Sequence, residues 1–178
     1  MQKKRIASAL LASALVAALA VPSMATEITQ DGGDTATQFT FAYKNDPTYT
    51  VTIPESVEIK KEGTDVSISA ENVENLDGQK ISVTIAGTSA YRNQMVLEGK
   101  SADGRNASMR YQFQLADGTI IETTGGKDQV NGVELASFTE DGTVSFKVLP
   151  VLAASSSLIQ GVTYTGNMTY AVSLEDAE

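Results

Sequence analysis

A two-residue alternation of apolar and polar side chains recurs along almost the whole chain after its first few dozen residues. This is the period of a β-strand that buries one face and exposes the other to water. No segment after residue 25 has the 3.6-residue apolar stripe of an amphipathic helix. The pattern therefore predicts an all-β fold, with alternation at residues 39–43, 48–53, 57–59, 66–70, 81–85, 109–115, 144–148 and 164–174.

Short turn signals separate these segments. The clearest predicted hairpin lies at residues 111–123, around Asp117-Gly118. Many short antiparallel strands at regular spacing are typical of sandwiches and barrels, and here they favour a sandwich. We therefore expect one antiparallel Ig-like β-sandwich over residues 37–178. The Asp-Gly and Asn-Gly pairs that predict turns are Asp77-Gly78, Asp103-Gly104, Asp117-Gly118, Asn131-Gly132 and Asp141-Gly142.

The strand at residues 48–53 stops at Pro54, and apolar residues alternate again at Val57 and Ile59. Proline cannot donate a hydrogen bond to a strand ladder, so it belongs at a strand end, a bulge or an edge. We expect the chain to leave one sheet at Pro54 and to continue as a strand of the facing sheet.

The N-terminus has the pattern of a secretory signal peptide. Lys3, Lys4 and Arg5 precede an apolar stretch at residues 6–20, and small residues then flank a cleavage point after Ala25. We expect residues 1–25 to be removed, residues 26–36 to form a flexible polar leader, and the protein to be secreted without membrane insertion.

The charge balance excludes two classes of partner. Residues 1–25 carry three of the 13 basic and none of the 22 acidic side chains, so the rest of the chain has 10 against 22 and a formal charge of −12. Such a surface repels phosphate backbones and anionic lipid headgroups. We therefore expect no nucleic-acid partner and no polybasic attachment to membranes.

Several kinds of catalytic machinery are absent from the sequence. The chain contains no His and no Cys, which excludes Ser-His-Asp and Cys-His nucleophiles and zinc sites built from imidazole or thiolate. Hydrolysis by two carboxylates stays open on residue types alone, but there is no Trp, and most Tyr and Phe residues lie on the apolar faces. We expect no enzyme activity and no cofactor.

One acidic segment is a weak candidate for a calcium site. Glu71, Glu74 and Asp77 supply carboxylates within seven residues, and oxygen-rich loops can bind Ca²⁺. Their spacing does not match an Asp-x-Asp-x-Asp loop, and Asp77 already belongs to a turn signal. A solvated acidic loop is the alternative interpretation.

Two strand segments, "DPTYTVTIPESVEI" near the start and "GVTYTGNMTYAVSL" at the end, resemble WxL-type cell-wall-associated proteins of Gram-positive bacteria. The segment "GQKISVTIAG" fits the same pattern. This resemblance implies a secreted β-sandwich that attaches non-covalently to the cell wall. Where that family has a Trp-x-Leu phrase in its last strand, this chain has Tyr170-Ala171-Val172 and no Trp.

The sequence thus leads us to expect an exported, non-catalytic surface or cell-wall-associated module with a structural or adhesion-type role. Its partners would be a cell-wall polymer or other surface proteins, and its oligomeric state stays open. A carbohydrate-binding module is one alternative, for which Tyr91, between two predicted strands, is the best candidate for an exposed ring.

A pilin-like subunit is the other alternative. Residues 37–44, with Phe39, Phe41 and Tyr43 alternating, could add as a strand to the exposed sheet edge of a neighbouring subunit. We expect instead that these three aromatic side chains pack into their own domain, because alternating apolar strands usually complete their own core.

Overall fold

The computed structural model describes residues 41, 43–152 and 158–177. In this part of the chain the protein is all-β, with two antiparallel sheets and a short 3₁₀ turn at Tyr91–Asn93. The predicted all-β class is therefore confirmed. The expected signal peptide, residues 1–25, and the expected leader, residues 26–36, lie outside the described residues.

Nine strands make up the two sheets of the described residues. They are β1 (Thr48–Thr52), β2 (Thr64–Glu74), β3 (Gln79–Thr88), β4 (Val96–Lys100), β5 (Asn106–Leu115), β6 (Ile120–Ile121), β7 (Glu134–Phe138), β8 (Gly142–Pro150) and β9 (Met168–Asp176). The larger sheet has the order β1-β2-β8-β5-β4, and β6 also pairs with β5. The smaller sheet has the order β7-β3-β9. Consecutive strands β2 and β3 thus lie in different sheets.

The two sheets contribute to one hydrophobic core. Ile68 of β2 in the larger sheet and Ile81, Val83 and Ile85 of β3 in the smaller sheet are all at most 1% exposed. Each buried side chain of this size contributes about 1.5–3 kcal/mol relative to an exposed one. These side chains lie at apolar positions of the predicted alternation, so the assignment of the inner face is confirmed for β2 and β3.

Two of the Asp-Gly signals illustrate how the turns form. Asp77 and Gly78 both have positive φ, 52° and 86°, as a tight turn between β2 and β3 requires. At the tip of the β5–β6 hairpin, Asp117 Oδ1 accepts the backbone N–H of Thr119 at 2.8 Å. The predicted hairpin around Asp117-Gly118 is therefore confirmed, although β6 is only two residues long.

The expectation that the strand resumes after Pro54 in the facing sheet is wrong. Residues 53–63 contain no strand, and the chain returns as β2, which pairs with β1 in the same sheet. Thr52 lies opposite Ser69, so Pro54 is simply just beyond the end of an edge strand. Val57 is 39% exposed, so this apolar residue does not mark the buried face of a strand.

The predicted strand before β1 is also absent from the described residues. Residue 41 and residues 43–47 have no strand conformation. Phe41 is 88% exposed and Tyr43 is 79% exposed, so the expectation that these two rings pack into their own core is wrong. Phe39 lies outside the described residues.

Three further strands, β4, β7 and β9, differ from the alternation pattern. The last strand begins at Met168, while Thr165 makes an isolated bridge to Glu98 of β4. β4 and β7 have no counterpart among the predicted strands. In β7 the neighbouring residues Leu135 and Ala136 are both buried, which breaks a two-residue period.

Candidate functional site

Tyr91 opens the turn between β3 and β4 and is 72% exposed. The guanidinium carbon of Arg92 lies 5.4 Å from the centroid of the Tyr91 ring, within the range of a cation–π contact. Arg92 therefore covers one face of the ring, while most of the Tyr91 side chain remains exposed to solvent. The expectation of an exposed ring at this position agrees with the structure.

The backbone beneath the ring is strained. Arg92 and Asn93 have positive φ, 56° and 53°, which costs roughly 1–2 kcal/mol for a residue with a side chain. Two hydrogen bonds hold this conformation. The side-chain oxygen of Asn93 accepts the N–H of Thr88 at 3.2 Å, and the backbone carbonyl of Asn93 accepts the N–H of Val130 at 3.2 Å. Strain that the surroundings maintain in this way is common at functional sites.

The same turn is tied to the loop between β6 and β7. Arg92 Nη1 donates to the carbonyl of Gly126 at 3.3 Å, and Gln94 Nε2 donates to the carbonyl of Gly125 at 2.8 Å. Below them, the buried side chain of Thr123 accepts the N–H of Met95 at 2.9 Å. These bonds fix the position of the loop relative to Tyr91.

Asp128 closes the loop from its other end. One carboxylate oxygen accepts the N–H of Gly125 at 2.7 Å and both the hydroxyl and the N–H of Thr124, at 2.9 and 2.8 Å. The bond from Gly125, followed by those from Thr124, lowers the pKa of the Asp128 carboxyl below its ordinary value of 3.8. The carboxylate is therefore charged, and this tether complete, at neutral pH.

A small depression of about 160 Å³ lies between the turn and the loop. It is smaller than the roughly 300–1,000 Å³ of sites that enclose a small molecule, so it suits one edge of a longer ligand. Its lining is Gln94, Val96, Arg110, Thr123, Thr124, Gly125 and Gly126. We call Tyr91, Arg92 and the loop residues 123–128 around this depression the Tyr91 surface.

Tyr170, which the resemblance to WxL-type proteins predicts to stand in place of Trp, does not belong to the Tyr91 surface. It lies in β9 opposite Ile85, half-buried against the core. Burial raises the pKa of the Tyr170 hydroxyl. Burial also raises the pKa of Tyr111, to about 12, with a further contribution from Tyr170. Tyr170 thus lies on the inner side of the smaller sheet.

The weak calcium candidates do not come together. Glu71 and Glu74 are exposed on β2, opposite Thr50 and Thr48 respectively. Asp77 is paired with Lys44 Nζ at 3.0 Å. Within the described ranges, no group of three acidic, His or Cys side chains is placed to hold a metal ion.

A larger depression of about 530 Å³ lies along the paired ends of β4 and β5. Glu98 and Lys100 border it from β4, and Asn106 and Ser108 border it from β5. None of the described residues that line it is aromatic, so it offers charge and hydrogen bonds without a stacking face. It is a weaker candidate than the Tyr91 surface.

No protein-family model, curated protein or solved structure matches this chain. The part of the chain that the structure describes contains no helix long and apolar enough to cross a membrane. Sequence reasoning found Tyr91 but missed its partners in the loop. The available signal was the polar segment "TTGGKDQ", in which Gly125-Gly126 permits close backbone contacts and Asp128 can accept several N–H bonds.

Proposed function

We propose that the protein is an exported, non-catalytic surface module of the Ig-like β-sandwich type, related to WxL-type proteins, which binds a cell-wall polysaccharide through the Tyr91 surface. The observation that carries this proposal is the exposed Tyr91 ring, held on a strained and tethered turn beside a polar depression. A rigid ring binds at little entropic cost, because it does not have to be ordered on binding.

The chemistry of the Tyr91 surface favours a sugar chain. The apolar face of a pyranose ring can pack on an aromatic ring, and neighbouring amide, hydroxyl and carbonyl groups can pair with its hydroxyls. Gln94 and Thr124 border the depression with side chains of this kind. The negative charge of the chain disfavours nucleic acids and anionic membranes, which leaves neutral polymers as the better ligands.

The strand order supports the Ig-like type. In that fold, strands A, B, E and D form one sheet and C, F and G the other. Here β1-β2-β8-β5 correspond to A-B-E-D, and the neighbours β3 and β9 correspond to C and F. No strand of the described residues occupies the place of G beside β9. The shared core between the two sheets agrees with a sandwich.

The test is co-sedimentation of the secreted full-length gene product with purified Gram-positive cell walls. We expect saturable binding, and Tyr91→Ala should weaken it at least about tenfold, which corresponds to about 1.4 kcal/mol. Tyr91→Phe should bind within a factor of about three of the wild type, because it keeps the ring. Ile120→Ala, which changes an exposed apolar side chain that is not one of the residues of this surface, should bind like the wild type.

Two outcomes would overturn the proposal. If the wild-type protein stays in the supernatant, wall binding is wrong. If Tyr91→Ala binds as tightly as Ile120→Ala, the wall is bound elsewhere. Tyr170→Phe examines the resemblance separately: since Tyr170 is half-buried against the core, this variant should bind normally.

A further inference from the structure

The strand order places one edge strand of each sheet, β1 and β9, on the same side of the molecule. Residues 75–78 join β2 to β3, and residues 139–141 join β7 to β8. β8 lies beside β2 in the larger sheet, and β7 lies beside β3 in the smaller sheet. Because the two connections are short, β7 and β8 lie on the same side of the β2–β3 pair. The edge strands β1 and β9 therefore lie together on the opposite side.

Contacts at the β2–β3 turn agree with this arrangement. Lys44, just before β1, pairs with Asp77 at 3.0 Å. Ala177, just after β9, donates its N–H to the carbonyl of Gly78 at 2.9 Å. The start of β1 and the end of β9 thus flank the same turn.

The inward side chains of these two edge strands are incompletely covered. Val83 of the central strand β3 is 0% exposed, whereas its cross-strand neighbour Val172 on β9 is only partly buried. We call the gap between β1 and β9 the edge seam. The apolar side chains of these two strands that pack against the core and are only partly buried are Tyr49, Val51 and Ile53 on β1 and just after it, and Met168, Tyr170, Val172 and Leu174 on β9.

Among the described residues, β1 pairs only with β2, and β9 pairs only with β3. The outer edge of β9 therefore presents a row of backbone groups to which a further strand could bond. A strand with apolar side chains on one face would also cover the half-buried residues of the edge seam. This is the recognition mode in which an extended segment adds a strand to a sheet.

The segment that fits this description precedes β1. Its apolar residues Phe39, Phe41 and Tyr43 alternate with polar or small ones, and Phe41 and Tyr43 are 88% and 79% exposed. Eight residues at positions 37–44 span roughly 26 Å as a strand, at about 3.3 Å per residue. The nine residues of β9 span roughly 30 Å by the same measure, so the lengths match.

We propose that residues 37–44 of one copy of this chain add as a strand to the edge seam of a second copy, pairing with β9. Insertion into the seam of the same copy is disfavoured by the contacts at its end. The ion pair between Lys44 and Asp77 and the bond from Asn75 Nδ2 to the Asp46 carbonyl, at 3.5 Å, would have to break for the chain to reverse there. Repetition of the intermolecular step produces a ring or an open chain of subunits, because the donor segment and the acceptor edge are different surfaces.

Disulfide trapping tests the contact directly, since the chain has no Cys of its own. One chain carries Thr40→Cys, on the polar face of the donor segment. A second, isotope-labelled chain carries Cys at Ala171, Ser173 or Glu175, successive outward positions on β9 that sample the registers. Residues directly opposite on paired strands are close enough for a disulfide. We expect one of the three mixtures to yield a linked pair containing one labelled and one unlabelled chain.

The matched variants are Phe41→Asp and Tyr91→Ala, each of which changes a highly exposed aromatic residue. In sedimentation velocity across a wide concentration range, the wild type should form concentration-dependent oligomers. Phe41→Asp should be monomeric and should lose the disulfide-linked pair, whereas Tyr91→Ala should still assemble. Phe41→Asp should still bind cell walls, so failure of assembly and failure of wall binding can be told apart.

Two results would overturn the inference. A wild-type protein that stays monomeric at every concentration and gives no linked pair has no such contact. A single chain carrying both Thr40→Cys and Ser173→Cys tests whether the segment folds back on its own copy in dilute solution. A fully intramolecular disulfide in this chain, without oligomers of the wild type, would assign the segment to its own seam.

Discussion

Two residues of the Tyr91 turn have an unfavourable backbone conformation that hydrogen bonds to other parts of the chain stabilise. Arg92 and Asn93 have left-handed backbone angles, which are unfavourable for residues with a side chain. Asn93 is the better suited of the two, because asparagine tolerates this region and its side chain accepts the N–H of Thr88. The orientation of Tyr91 thus depends on hydrogen bonds from β3 rather than on local propensity.

This dependence predicts a difference between two asparagines. Asn93→Ala should destabilise the protein by about 2 kcal/mol, half from the left-handed backbone and half from the unpaired Thr88 N–H. Asn72→Ala should cost only about 1 kcal/mol, because Asn72 has φ of 57° in the β2 strand and the bond that the Thr48 hydroxyl donates to it ends on its backbone carbonyl, which alanine keeps. Urea unfolding of both variants measures the difference. Equal losses would show that the Thr88 bond contributes nothing.

At the scale of elements, alternation predicted the strands that have one buried and one wet face. β1, β2 and β8 follow it, since Val51, Ile68 and Phe146 lie on inner faces. β7 could not be found in this way, because Leu135 and Ala136 are both buried. The path after Pro54 was mispredicted for a physical reason. Alternation at Val57 and Ile59 shows only which side chains are apolar, whereas a strand forms only where a neighbouring strand is available for pairing.

The two central valines of the smaller sheet provide a prediction for this scale. Val83 and Val172 are cross-strand neighbours, and the same substitution removes the same two methyl groups from each. Val83→Ala should cost about 2 kcal/mol, since Val83 is completely buried. Val172→Ala should cost about 1 kcal/mol or less in the monomeric Phe41→Asp background, because its site is only partly covered.

Thermal or urea unfolding of the two double variants checks this, with Phe41→Asp alone as the reference. In the assembled protein the cost of Val172→Ala should rise towards that of Val83→Ala, because the added strand covers the seam. Equal costs already in the monomer would mean that β9 is covered without a second copy.

For the whole molecule, both candidate surfaces result from the order of strands in the sheets. The edge seam exists because β1 and β9 end their sheets on the same side, and the Tyr91 surface exists because the β6–β7 loop reaches the turn before β4. Sequence patterns define faces but not neighbours, so the exposed ring of Tyr91 could be predicted and its partners Gln94 and Gly125 could not. The charge balance, by contrast, is available from composition alone.

That charge leads to a prediction for the wall ligand. Beyond residue 25 the chain carries a formal charge of −12, so it is repelled by anionic wall polymers over a distance of roughly 30 Å at 0.01 M salt and roughly 8 Å at 0.15 M. If the ligand is a neutral polysaccharide, walls stripped of their anionic polymers should bind more protein at low salt than native walls do. Raising the salt concentration should increase binding to native walls and change binding to stripped walls little.

Co-sedimentation at several salt concentrations measures these effects, with the weakly binding variant Tyr91→Ala as the control on each type of wall. The control matters because screening also promotes non-specific association, which Tyr91→Ala would share with the wild type. Binding that disappears when the anionic polymers are removed would identify those polymers as the ligand. Local groups such as the Arg92 guanidinium, exposed to solvent beside the ring, would then have to outweigh the repulsion from the rest of the molecule.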